Sequence, residues 1–205
     1  MRDTQSERLV RRMKADREEL AERIARALPR DGTIEPQPGI HFRRHSKPAE
    51  RVHGFYPPAF CVIAQGSKDI LLGEDIFRYD SAHYLISTME LPLMGEVVEA
   101  SPERPYLNFR LVLDPSVVTS VMMESRLGHV DNNEAVKAID VSPLDANLLD
   151  AIVRLVRLID SPDEYRVLAP LIIREIVFRL LTGAQGSRMR HLATFRGHAH
   201  RMVRA

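Results

Sequence analysis

From Ser6 to Leu28 the apolar positions Leu9, Met13, Leu20, Ile24 and Leu28 fall close to one helical face, with Arg, Lys, Asp and Glu around the rest. Pro29 and Gly32 stop the pattern, so the spacing predicts an amphipathic helix docked on the body or on a partner. Its basic residues are interleaved with acids, which favours a solvated face over a binding patch. From Ile34 to Leu113 Pro and Gly recur every few residues and short apolar runs alternate between them. The segments 39–45, 59–65, 68–73, 75–80, 83–88, 94–100 and 106–113 read as strands, and the compact join "LLGEDIF", with Gly73, reads as a tight hairpin. Short strands with turn signals between them point to a sandwich or small barrel, not to a parallel sheet with helical crossovers.

After Leu113 the period becomes helical. "DPSVVTSVMMESR" opens with Asp114 as N-cap and Pro115 at the first helical position, where its missing N–H costs nothing. Residues 128–140 carry little pattern and read as a loop. "SPLDANLLDAIVRLVRLID" repeats the opening with Ser142 and Pro143, and lines Leu144, Leu148, Ile152, Leu155 and Ile159 on one face. "APLIIREIVFRLLTG" adds a helix from near Pro170 to Gly183, apolar over much of its circumference and therefore expected in the core or in a subunit interface. The plan is α+β, with an N-terminal helix, an antiparallel β body and a C-terminal helical layer.

Composition narrows this little. The 205 residues are 44% hydrophobic and 28% charged, with net charge +1, an ordinary globular profile and not that of a general polyanion binder. The single Cys61 lies in the apolar run "FCVIAQG" and reads as a buried inert thiol; one cysteine cannot staple a fold, so a reducing compartment is expected. No apolar run approaches the roughly 18 residues of a membrane span, and the N-terminus lacks a signal-peptide core, so no membrane partner is expected and the location is expected to be cytoplasmic.

Candidate chemistry is sparse. His41, His45, His53 and His83 could in principle bind metal, but nothing fixes them into a ligand set, and the HAH at 198–200 lies outside the β body. There is no GxSxG, GxxxxGK or GxGxxG motif, and Glu74 and Asp75 sit in a predicted turn, so no catalytic residue, cofactor or enzymatic activity is assigned. The strand "YLNFRLVL" puts Leu107, Phe109, Leu111 and Leu113 on one face and Tyr106, Asn108, Arg110 and Val112 on the other. The aliphatic face is the natural interior, which leaves Arg110 in solvent or in an ion pair unless its own face lines a cavity. "RYDSAHYLIST" splits likewise, with His83, Leu85 and Ser87 opposite Tyr84 and Ile86.

The stretches "PPAFCVIAQGSKDILLGEDIFRYDSAHYLIST", "ELPLMGEVVEASPERPYLNFRLVLDPSVV" and "VSPLDANLLDAIVRLVRLIDSPDEYRVLAPLIIREIVFRLLTGAQGSRMRHLA" resemble the N-terminal domain of AraC-type transcriptional regulators. The match runs over residues 15–205, and the motifs AQGxKxxLLG, YDxxHYLxS and ASPExPYLxxxLxLDP are long and jointly specific. The resemblance implies a cupin-like antiparallel β-barrel or sandwich at 33–113, an arm helix at 1–32, a helical dimerisation subdomain at 114–185, and a linker at 186–205 leading to helix-turn-helix units absent from this chain.

It further implies a regulatory domain acting by effector sensing or dimerisation, with DNA reached only through that missing C-terminal domain. An unknown small-molecule effector would meet His53, His83 and Tyr106, and a homodimer would form through Leu148, Ile152, Leu155, Ile159, Ile172 and Ile176. The competing reading is a stand-alone cupin-like metal-binding enzyme or a metabolite-binding protein. The acid-free tail "RMRHLATFRGHAHRMVRA" invites a nucleic-acid role in isolation, but placed after "LLTGAQGS" it reads as the start of the linker.

Overall fold

The structure, a computed structural model, describes residues 4–127 and 139–192, and within the strands the side chains of 50–56 and 91–93 are left undescribed. The chain opens with helix α1 (Gln5–Ala27), which Thr4 starts with a capping box: its hydroxyl accepts from the Glu7 N–H, and Glu7 accepts from the Thr4 N–H. Leu20 and Ile24 from its apolar face are fully buried, so the arm docks on the body. Charged residues on its flanks bridge to a later helix, α3 (Ala146–Leu158): Glu19 accepts from Arg157 at 2.7 Å, and Arg12 meets Asp150.

Among the described residues ten strands follow: β1 (Gly32–Gln37), β2 (Ile40–His45), β3 (Ala49–Tyr56), β4 (Ala59–Gln65), β5 (Ser67–Leu72), β6 (Asp75–Asp80), β7 (His83–Ser87), β8 (Leu91–Glu99), β9 (Tyr106–Val112) and, after an intervening helix, β10 (Ile139–Pro143). They form two antiparallel sheets, ordered β1-β2-β9-β4-β7-β10 and β3-β8-β5-β6. The sheets stack face to face over a small apolar cluster that includes Ile63, Leu85 and Tyr106 from the first and Ile70, Tyr79 and Val97 from the second. Gly73, at φ 61°, opens the two-residue turn between β5 and β6, as a II′ hairpin requires. Gly66 joins β4 to β5 at φ 87°, where a Cβ would stand 2.4 Å from the Glu99 carbonyl oxygen, so no side chain fits.

Helices cover the outer face of the six-stranded sheet. Alongside α1 and α3 these are α2 (Pro115–Glu124) and α4 (Pro162–Thr182), and the large core lies between them and Phe42, Phe60, Leu107 and Phe109. Asp114 caps α2 with Pro115 at its first position, as the pattern predicts.

Two helix starts differ from the expectation. Ser142 and Pro143 belong to β10, which pairs with β7, and the N-cap of α3 is Asp145, accepting from the Asn147 and Leu148 N–H groups. Helix α4 starts at Pro162, which suits a first helical position, and carries Pro170 inside it. Strand β10 also takes residues 139 and 140 of the expected loop, whose other residues lie outside the described set. Residues 186–192 are helical and pack on the body: Met189 and Leu192 are buried, Arg188 reaches Asp140 at 3.2 Å, and Gln185 donates to the Asp140 carbonyl. The rest of the tail, with His198 and His200, lies outside the described residues. Among the described residues no helix is long and apolar enough to cross a membrane.

Candidate functional site

Side-chain alternation gives the six-stranded sheet two unlike faces. On β2 the residues Ile40 and Phe42 go to the helices, while His41 and Arg43 turn toward the second sheet. On β9 the residues Leu107, Phe109 and Leu111 go to the helices and Asn108 and Arg110 turn inward. The aliphatic face is therefore interior to the sheet–helix layer, and the opposite face bounds a cavity of about 180 Å³ between the sheets. Arg110, expected in solvent or in an ion pair, lines this cavity because both faces of the sheet are covered.

Register assembles the cations. His41 stands opposite Arg110 across β2 and β9, Arg110 opposite Cys61 across β9 and β4, and Arg43 lies in the adjoining row opposite Asn108. From the facing sheet β5 contributes Lys68 and Ile70. Alternation sends Asp69, between them, to the outer side, where Arg78 holds both carboxylate oxygens at 2.7 Å. Thr33, Ala59, Leu85 and Ser87 complete much of the wall. Asn108 donates to the Val62 carbonyl and Ser87 to the Met89 carbonyl, so these polar groups are held by backbone.

The field inside follows from burial and like charge. Lys68 is only 8% exposed; burial, reinforced by Arg43 and Arg110, lowers its pKa to about 8. Burial also lowers His41, with Arg110 adding to the effect, although Glu35 stands 3.9 Å away at the rim. Burial pushes the Cys61 thiol and the Tyr79 phenol upward, so both stay protonated at neutral pH. No group of three or more His, Cys, Asp or Glu side chains that could hold a metal occurs among the described residues.

The sequence-predicted contacts are dispersed. Tyr106 is fully buried between the sheets beside His45, with ring centroids 6.2 Å apart, and lies outside the cavity lining. His83 shares a strand face with Leu85 and Ser87 but sits at the end of β7, partly exposed, with Nδ1 2.8 Å from Asp80. His53 lies on β3 opposite Met94, and its side chain is outside the described set. Of the predicted dimer positions, Leu148, Ile152, Leu155 and Ile176 are buried in the chain's own core, and Ile159 and Ile172 pack against it. Lys68 and Arg43 were missed, since only pairing between distant strands brings them together. The one local signal is the alternation of polar and apolar residues in "IHFRRH" and "YLNFR".

Two antiparallel sheets stacked around a cavity, one sheet sealed by helices, make a cupin-like sandwich in an α+β domain. The chain belongs to the family of N-terminal domains of AraC-type transcriptional regulators: the family described as "AraC-type transcriptional regulator N-terminus" matches residues 36–188. The resemblance read from the sequence is thereby borne out. Among solved structures the chain is similar to apo ToxT of Vibrio cholerae strain SCE256, at 9% identity and TM-score 0.55, over 75% of this chain and 59% of that one. A second ToxT structure from Vibrio cholerae is matched at 12% identity and TM-score 0.41, over 63% of this chain and 55% of that one. The chain thus spans less than two thirds of the ToxT chains. No curated protein matches it.

Proposed function

We propose that this chain is the effector-sensing domain of a bacterial AraC-type transcription factor, that the cavity between the sheets receives the small molecule, and that no reaction is catalysed there. The observation that carries the reading is the cavity itself: a largely apolar space of about 180 Å³ between the two sheets, into which a few polar groups converge. Regulation requires the ligand to bind one arrangement of the domain better than another, and the coupling equals that difference in affinity. DNA contact belongs to a C-terminal domain outside this chain. Self-association is assigned to α4, where Val167, Leu171 and Phe178 share a helical face and stay exposed, in place of the predicted positions that the core occupies.

A thermal-shift screen against a metabolite panel tests the sensing role, because a ligand specific for the folded chain raises its apparent stability. At least one compound should stabilise the native chain, and Ala59→Leu, which narrows the cavity, should abolish that response. Stabilisation that survives Ala59→Leu would remove the cavity as the site. Sedimentation equilibrium tests the second element: the native chain should self-associate and Leu171→Glu should be monomeric.

A further inference from the structure

We infer that Lys68 is a covalent docking point, whose amine captures a small aldehyde in the cavity between the sheets as a reversible, stoichiometric imine. The inference rests on the reading of the cavity as the effector site and names the chemistry of the occupant. Its ground is the placement of one amine. Lys68 supplies the primary amine of the described cavity lining, yet the residue is only 8% exposed. Strand β5 holds it in the interior of its sheet, with β6 pairing on one side and β8 on the other, so its backbone is fixed by two ladders. The head of the side chain runs over Gly95 of β8: a Cβ there would stand 2.7 Å from Lys68 Cε and 2.8 Å from Nζ. A larger residue at 95 would push the amine aside, so glycine leaves it the room it occupies.

Imine formation needs the neutral amine, and lysines become nucleophiles when they are desolvated or stand near other cations. Both conditions hold for Lys68. Burial is the larger influence, Arg43 and Arg110 add to it, and the opposing effect of Cys61 leaves the pKa at about 8. Roughly one Lys68 amine in ten is then neutral at pH 7, against roughly one in a few thousand for an ordinary lysine. Cys61 does not compete, because burial raises its pKa and keeps the thiol protonated. Guanidinium groups are always charged and imidazole nitrogens form no imine, so Arg43, Arg110 and His41 leave the reaction to Lys68. The Nζ lone pair attacks the carbonyl carbon, a C–N bond forms, and the C=O electron pair moves to oxygen, which takes a proton from the nitrogen. Departure of that oxygen as water, with the second amine proton, leaves C=N. Amine and aldehyde thus give imine and water, with no oxidant or reductant. Ala59, Ile70 and Leu85 offer apolar contact for the rest of the ligand.

Incubation of the 205-residue chain at about pH 7 with benzaldehyde and sodium cyanoborohydride, followed by peptide mapping in the mass spectrometer, tests this. Reduction fixes the imine as a benzylamine, and Lys68 should be labelled about tenfold or more faster than the exposed Lys14 and Lys47. Ala59→Leu, by narrowing the cavity, should slow the labelling of Lys68 about tenfold or more while leaving Lys14 and Lys47 unchanged. Without reductant, benzaldehyde should raise the melting temperature of the native chain more than benzyl alcohol does, and Lys68→Met should lose that excess. Because Lys68→Met is expected to melt higher than the native chain, a failure to fold cannot stand in for a failure to react. Labelling of Lys68 no faster than that of Lys14 and Lys47, labelling undiminished in Ala59→Leu, or an excess stabilisation that persists in Lys68→Met overturns the inference. If Lys68 is not labelled while a panel metabolite stabilises the native chain but not Ala59→Leu, the imine inference falls and the effector reading stands. If the response to every panel compound survives Ala59→Leu, the effector reading falls as well.

Discussion

The two faces of the six-stranded sheet use neighbouring residues of the same strands for opposite ends. Phe42, Phe60, Phe109 and Leu111 point at the helices and are sealed from water, whereas His41, Arg43, Cys61 and Arg110, one residue away in each case, bound the cavity. The helix side supplies apolar burial, the main favourable term in folding. On the cavity side burial, together with Arg43 and Arg110, disfavours the charged form of Lys68, a local arrangement that opposes stability. Stability and recognition are thus divided between the faces of one sheet, and a β-strand's period of two makes that division possible within single strands.

The sharpest way to break this comparison is to damage the helix side. Phe109→Ala should cost about 3–5 kcal/mol in urea unfolding, the usual range for a fully buried phenylalanine; a cost below about 1 kcal/mol would mean that the face is not the main core. On the cavity side the sign should reverse. Lys68→Met should gain on the order of 1–3 kcal/mol in the same measurement, because it removes a buried charge with no countercharge among the described residues.

The pH dependence refines the second result. With a folded pKa near 8 against 10.5 unfolded, Lys68 imposes its full penalty below pH 8. Between those values the unfolded chain binds more protons, so the penalty fades as pH rises. Cys61 and Tyr79, whose pKa values burial raises, act in the opposite direction above their ordinary values of 9.0 and 10.0. The gain from Lys68→Met should therefore shrink as pH rises through 8, a difference in which the other groups cancel. The smallest effect lies at the arm. Glu19→Gln should cost less than about 1 kcal/mol, as partly exposed ion pairs do, and should show as faster amide exchange in α1. Arg157 lowers the Glu19 pKa to about 2 from 4.5, so that contribution is present above pH 4.5 and is lost as pH falls toward 2.

Legibility in the sequence followed the same division. The helix side was readable, since its apolar residues recur at the strand period and the helices above it carry strong amphipathic and capping signals. Every strand the pattern missed, β1, β3 and β10, lies at the edge of a sheet. An edge strand is paired on one side only and tolerates breaks in the alternation, such as Pro36 in β1 and Gly54 in β3. The site was legible only in part. Alternation separated Arg110 correctly from Leu111, but one strand cannot tell that both its faces will be covered, so the polar face was assigned outward. Lys68 is a single cation in "AQGSKDILLG", and its meeting with Arg43 depends on two sheets coming together, which no local pattern encodes. The predicted dimer residues of α3 lie in the chain's own core for a related reason: an apolar helical face is equally suited to a partner and to the chain's own interior.

The short strand β10 carries more than its five residues suggest. Ser87 bounds the cavity on β7 and pairs with Ile139 of β10, and the next residue, Asp140, grips Arg188 and Gln185 of the segment that packs at the C-terminal side. One ladder rung and one ion pair are therefore all that separate the cavity wall from residues 186–192. The wall of the cavity and the C-terminal packing segment are thus joined through a single five-residue strand, so a substitution in β10 touches both at once.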